Sequence, residues 1–271
     1  MQQKEKSDNI STEKIFSMKK SDDTPSRISP AQHGLIQALY LLASVAFKWF
    51  FLWIRGGNKK QRTTLFWDMI SERYDLDSSP DRPEHKAVQN ARKYLKSSDS
   101  VLDFGCATAG VMLRLADSVG FIHGIDISPK MIEAGRDKLA DRGIANVETS
   151  TATILDEYFK PETFDVILAL NIVHLLDDRK RALARAYELL RPGGYLITVT
   201  PCLAEARSFK DRMIYVLLLI LTGIRFLPHI GLLRSVEVAN ALVNAGFEIV
   251  ETKNLERSEQ HFVVGKKVLL S

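Results

Sequence analysis

Cysteine is scarce in this chain. Among 271 residues only Cys106 and Cys202 carry a thiol. Two thiols cannot build a disulfide framework or a cysteine-based zinc site, and the plain consequence is a reducing, cytoplasmic compartment. The six histidines are scattered without metal-ligand spacing, so no metal centre is expected. An excess of one charge is lacking too: 37 basic against 33 acidic side chains leave a net charge of +4. That is too weak to argue for nucleic acid, and none is expected as a partner, although it would help at an anionic membrane surface. Residues 1–33 have no early apolar stretch of the kind a cleavable signal needs, and Gln2 excludes the usual myristoylation start. They mix charges of both signs with Ser, Asp and Pro, which predicts a disordered tail.

The composition then reverses. "LIQALYLLASVAFKWFFLWI", residues 35–54, is an apolar run of the length a helix needs to cross a hydrocarbon core. Gln37, Ser44, Lys48 and Arg55 are spaced by seven, four and seven, so they share one narrow helical stripe. Trp49 and Trp53 are followed by Arg55, Lys59, Lys60 and Arg62, the order of an aromatic belt meeting a basic surface. Residues 34–62 are therefore expected to associate with the cytoplasmic face of a membrane, spanning it or lying in its plane. A helix buried on the globular domain is the bland alternative, and Lys48 argues against a deep span.

From residue 83 to 200 strand and helix patterns alternate. Residues 83–95 put Ala87, Val88, Ala91 and Leu95 on one helical face. "VLDFG" and "FIHGIDIS" read as strands around a helix over 111–119, and Ser128 and Pro129 open a further helix that Gly143 ends. Val147 starts a weak third strand. "FDVILAL" is an unbroken apolar run, as in a strand buried on both faces of a parallel sheet. A helix over 179–190 and the strand "GYLITVT" follow. After a helix over 236–245, "FEIVET" and "HFVVGKK" are joined by a connection with no helical pattern, which suits an antiparallel pair. The expectation is a doubly wound, mostly parallel seven-stranded sheet with an antiparallel final strand, preceded by the apolar helix.

In such a sheet ligands bind beyond the carboxyl ends of the strands, near the point where strand order reverses. The turn "VLDFGCATAG", residues 101–110, is therefore the default site. Gly105 allows a tight turn, and the next helix offers free N–H groups at its start. Asp126, twenty-one residues after Gly105, stands at the end of the second strand, where a carboxylate can accept from both hydroxyls of a ribose. Gly105, Ala107 and Gly110 also fit a relaxed dinucleotide pattern, which would mean hydride transfer by a nicotinamide-dependent oxidoreductase. Asp103 disfavours that guest: a carboxylate opposes a pyrophosphate and suits a ligand carrying an ammonium and a sulfonium.

From about residue 67 to 267 the chain resembles the class I S-adenosylmethionine-dependent methyltransferases, a Rossmann-like family. "VLDFGCATAG" is similar to their first motif and "GIDISPKMIEAGRDK" to the segment after it; "FDVILALNIVHLLDD" and "LLRPGGYLITVTP" resemble the later motifs, in order. "FWDMISERYD" resembles the lead-in helix of the branch that methylates quinones and other small molecules. The resemblance implies a methyltransferase domain over 63–271 that uses S-adenosylmethionine. Asp103 and the backbone of Gly105, Cys106 and Ala107 would hold the methionine end. Asp126 would bind the ribose, Ile127 would pack on adenine and Met131 would cover it. Asn171 would line the cofactor near the reacting methyl, and Tyr74 would close the pocket.

Two departures stand out. Ala107 replaces a glycine that normally lets the backbone approach the ligand, whereas Ala109 matters less because Gly110 follows it. Thr153, with Ile154 beside it, occupies the place where relatives carry an acidic contact to adenine. These changes keep open a non-catalytic, membrane-tethered relative that only binds the cofactor. No general base stands out: Cys106 reads as a packing residue and His174 as a helix-start histidine with its hydrogen bond satisfied. An apolar insertion over 208–234, "MIYVLLLILTGIRFLPHIGLL" at its centre, is either a core helix with a loop or a lid over the acceptor. The acceptor expected is small and lipophilic, quinone-like or lipid.

Overall fold

In the computed structural model, residues 50, 57–72, 74, 83–205, 209–224, 227–255 and 260–268 are described. The disordered tail expected over 1–33 and, Phe50 apart, the apolar segment over 35–54 lie outside them. The chain divides into Met1–Ala46 and Phe47–Ser271, and every described residue belongs to the second unit.

Seven strands form one sheet: β1 (Ser100–Phe104), β2 (Phe121–Asp126), β3 (Val147–Thr151), β4 (Phe164–Leu170), β5 (Leu190–Pro201), β6 (Phe247–Leu255) and β7 (Gln260–Lys267). Their order is β3-β2-β1-β4-β5-β7-β6. The first five pair in parallel, while β7 runs antiparallel to both β5 and β6. The last strand thus slots inside the sheet and leaves β6 on the edge. Strand order reverses between β1 and β4, which marks the crevice where a ligand enters.

The sheet is buried on both faces because its strands are apolar on both. In β4, Val166, Leu168 and Leu170 join one core cluster and Ile167 and Ala169 the other, the two-residue period of a strand. One layer uses α2 (Pro83–Ala91), α3 (Gly110–Leu115) and α4 (Pro129–Asp141) through Ala87, Met112 and Ile132. The opposite layer uses α5 (Arg179–Leu189) and α7 (Ser235–Asn244) through Leu183, Val238 and Leu242. The helix expected over 111–119 breaks after Leu115 into the one-turn 3-10 segment Ala116–Ser118. Between β5 and α7 lies α6 (Phe209–Gly223). It is no core helix: Met213, Val216, Leu217, Ile220 and, just past its end, Ile224 form an exposed stripe at helical spacing.

A lead-in helix, α1 (Lys59–Ser71), runs through the boundary expected at residue 63. Asn58 caps it, accepting from the Gln61 backbone at 2.9 Å while the Gln61 side chain accepts from the Asn58 N–H at 3.1 Å. Its anchor is Asp68. The Ser128 hydroxyl donates to Asp68 Oδ1 at 2.5 Å, and the Lys130 N–H reaches the same oxygen at 3.3 Å. The same Ser128 hydroxyl accepts from the Met131 N–H at 3.1 Å and caps α4. Asp68 therefore places an anion at the positive end of α4, and the two helices hold each other. Asp68→Ala removes this charge-assisted contact. Hydrogen exchange of α1 amides is then expected to speed up by about 10- to 100-fold while β1 to β5 keep their protection. Unchanged exchange in α1 would show that the anchor lies elsewhere.

Candidate functional site

The turn after β1 departs from ordinary backbone geometry at three residues. Gly105 has φ +81°, Ala107 +46° and Ala109 +66°. Glycine adopts these values freely, whereas an alanine carries a steric cost of about 1–2 kcal/mol. Gly110 does not relieve the turn as the sequence suggested, because Ala109 itself takes the left-handed value and caps α3. The strain is held by hydrogen bonds. The N–H groups of Gly105 and Cys106 both donate to Ile125 O, at 2.8 and 3.0 Å, and that of Ala109 to Cys106 O at 3.0 Å. The Ala107 N–H donates to Asp126 Oδ2 at 3.1 Å, and Asp126 Oδ1 accepts from the Ser128 N–H at 2.9 Å. Four N–H groups of the turn, those of Gly105, Cys106, Ala107 and Ala109, are thus spent within the protein.

A cavity of about 450 Å³ opens at the carboxyl ends of β1, β2 and β4. Of the residues picked out in the sequence, Tyr74, Gly105, Ala107, Asp126, Ile127, Met131, Thr153, Ile154 and Asn171 line it. Asp103 and Cys106 do not. Asp103 is only 2% exposed and sits beneath the turn, and the Cys106 sulfur is turned inward toward Gly124. Sequence patterns missed the contribution of α1, whose Lys59, Lys60, Thr63 and Trp67 form one wall. They also missed Ile172: its side chain lies 3.0 Å from where a Cβ on Gly105 would stand, which explains the glycine. The wall at the end of β3 is apolar, with Ala152, Ile154 and Leu155 around Thr153. The Asp156 carboxylate accepts from the Thr153 N–H at 2.8 Å and does not line the cavity.

Among the buried polar atoms of the described residues that have no partner within the protein are Asp103 Oδ2 and Asn171 Oδ1. Asn171 lines the cavity and holds a left-handed φ of +59°. Burial pushes the Asp103 carboxyl up to about 7, and the Asp126 charge adds to the rise. Asp126 is also raised by burial, against the opposing pull of its backbone hydrogen bonds. A cationic guest would favour the charged form of both carboxyls. His174 lies in the one-turn 3-10 helix Val173–Leu175 and does not line the cavity. Its Nδ1 is buried without a partner, contrary to the satisfied hydrogen bond expected. Burial, with Arg179 and His229 nearby, lowers its pKa to about 4, so it stays neutral at pH 7.

Residues 95–217 match the protein family described as "Methyltransferase domain". The aklanonic acid methyltransferase DauC of Streptomyces sp. strain C5 is 32% identical over 152 residues, 55% of this chain and 69% of that protein. The demethylmenaquinone methyltransferase of Bacillus cytotoxicus is 26% identical over 59% of this chain and 70% of its own length. Among solved structures, a SAM-dependent methyltransferase from Aquifex aeolicus superposes with a TM-score of 0.59 at 18% identity, over 74% of this chain and 98% of that one. The cyclase SpnF superposes with a TM-score of 0.64 at 16% identity, over 78% and 97%. The structural likenesses establish the fold, and a fold shared with a cyclase does not by itself fix the reaction.

Two outcomes follow from the geometry. Gly105→Ala combines a left-handed backbone with a contact to Ile172, and should lower unfolding free energy by about 1–3 kcal/mol. Adding Ile172→Ala should recover the steric part and leave the backbone part, as read by chemical denaturation. The second concerns Asp103. Between the ordinary carboxylate value and about 7, the folded chain holds a proton on Asp103 that the unfolded chain has lost. Raising pH through that window therefore costs the ligand-free protein stability. Asp103→Asn should show a smaller fall in melting temperature from pH 4 to pH 8, and an identical fall would remove Asp103 as its source.

Proposed function

The chain belongs to the class I S-adenosylmethionine-dependent methyltransferases, and we propose that it methylates a small lipophilic acceptor, quinone-like or lipid, taken from the cytoplasmic face of a membrane. The observation that carries the acceptor reading is α6. Its exposed stripe of Met213, Val216, Leu217, Ile220 and Ile224 follows β5, and contiguous apolar surface of this kind marks a membrane or a lipophilic ligand. No helix among the described residues is long and apolar enough to cross a membrane. The named activities of the relatives, on demethylmenaquinone and aklanonic acid, fit an acceptor of this class.

When bound, S-adenosylmethionine supplies a methyl group on a sulfonium, ready for attack in line by an acceptor nucleophile. The protein aligns the two and keeps water out. Asp126 Oδ2 accepts from the Ala107 N–H and Oδ1 from the Ser128 N–H, and the carboxylate at the end of β2 suits the two ribose hydroxyls. Ile127, Met131 and Ile154 offer apolar surface to adenine, and the Thr153 hydroxyl stands in for the acidic contact of relatives. Asn171 Oδ1, unpartnered and buried, suits the ammonium of the methionine end. Asp103 acts from beneath the turn, its charge favouring a cationic guest; Gly105 and Ala107 shape the approach, and Tyr74 closes it.

A nicotinamide oxidoreductase is set aside by the family. A non-catalytic relative is also disfavoured, because the similar proteins from Streptomyces and Bacillus cytotoxicus are named as methyltransferases.

The test uses the full chain, methyl-labelled S-adenosylmethionine and a short-tailed demethylated naphthoquinol in anionic phospholipid vesicles. Label is expected in the quinol. Leu217→Ser with Ile220→Ser should slow transfer from vesicles several-fold and leave transfer to a water-soluble naphthoquinol unchanged. Binding of the labelled cofactor without transfer to any reduced quinol or lipid acceptor would overturn the proposal.

A further inference from the structure

A second cavity of about 450 Å³ lies between α1 and the end of α6, closed by residues 227–229. It shares Lys59 and Thr63 with the cofactor cavity, so α1 is a wall common to both. The remaining polar groups that line it are Arg62, Thr222 and His229, and Leu227 and Pro228 add apolar surface. No carboxylate lines it among the described residues. Asp177, on the lining of the first cavity, is taken by Lys59 at 2.6 Å, whereas Arg62 has no ion pair among the described residues. Thr222 Oγ1 is buried with no partner, an unused donor in the wall.

Burial disfavours the charged form of His229; the Asp177 carboxylate exerts the largest charge effect on it, in the opposite sense, and Lys59 and Arg179 each disfavour the charge further. Arg179 and His229 both crowd Gly231, where a Cβ would lie 2.8 Å from an Arg179 guanidinium nitrogen and 3.6 Å from His229 Nε2. A hollow lined by the Arg62 guanidinium, the His229 imidazole and two threonine hydroxyls, with an apolar side and no carboxylate among its described lining residues, fits an organic oxyanion.

We propose that this cavity holds the methyl acceptor, and that the acceptor is an amphipathic acid whose carboxylate or phenolate is bound by Arg62 and His229. The wall shared at Lys59 and Thr63 then sets acceptor beside cofactor. The assignment of an acceptor rests on the methyl-transfer reading; the anion site itself does not.

The test is calorimetric titration of the full chain, saturated with S-adenosylhomocysteine, using 2-naphthoate and its neutral amide as probes. The acid should bind about tenfold or more tightly than the amide, the value of one charge-assisted hydrogen bond. Arg62→Gln and His229→Gln should each remove most of that preference. Arg212→Gln, an equal charge change on the exposed side of α6, should leave it intact. Equal affinities for the two probes, a preference that survives Arg62→Gln, or the same loss in Arg212→Gln would overturn the proposal. Arg62 and His229 do not line the first cavity, so S-adenosylhomocysteine affinity reports whether the variants are folded. Failure of the unaltered chain to bind S-adenosylhomocysteine would sink the methyl-transfer reading, while a naphthoate preference in the same chain would still support the anion site.

Discussion

The Asp126 carboxylate is the joint on which this site depends. One oxygen accepts from Ala107 in the turn after β1, and the other from Ser128 at the head of α4. Ser128 then donates to Asp68 and so ties in α1. One acid at the end of β2 thereby fixes a strained turn, a helix start and the wall of the cavity. Removing it would leave two backbone N–H groups without their acceptor, and each buried orphan of that kind costs on the order of 1–3 kcal/mol. The joint also explains how alanine persists at residues 107 and 109. A left-handed alanine is unfavourable alone, yet the hydrogen bonds on either side leave the chain no other path.

The fold was largely legible because its strands are written in uninterrupted apolar runs. "FDVILAL" serves two cores at once, and no amphipathic strand would need both faces apolar. Ser128, Pro129 and Gly143 bounded α4 because capping chemistry is local. The helix after the turn was harder. Its apolar period continues past Leu115, but the backbone tightens to a 3-10 turn before β2, a choice made by packing rather than by propensity.

The site was legible only in part, and the division is physical. Asp126, fixed by its place at a strand end, could be read from spacing, whereas Asn171 came from the family resemblance. Burial could not be read: Asp103 is only 2% exposed and lies outside the cavity lining. The left-handed backbone at Ala109 was hidden because sequence rules assign such conformations to glycine, and Gly110 stood ready as a decoy. The wall supplied by α1 depends on Asp68 reaching Ser128, sixty residues away, and pairing over that distance leaves no local pattern.

The two cavities on either side of α1 differ in their charged lining, and that difference bears on the chemistry. Asp126, Asp177 and Asp178 line the first, together with Lys59 and Lys60, whereas among the described residues no carboxylate lines the second, where Lys59 recurs and Arg62 stands beside His229. A sulfonium donor belongs beside the carboxylates and an oxyanion acceptor beside the cations. Where the attacking atom is itself that oxyanion, transfer destroys one charge of each sign, so the transition state is less polar than the bound pair. Water would stabilise the separated charges and slow the step; apolar walls such as Ile172 and Leu176 withhold that stabilisation. In this arrangement the protein needs no strong base at the reacting atom, in keeping with a His174 that is neutral and turned away from the cavity.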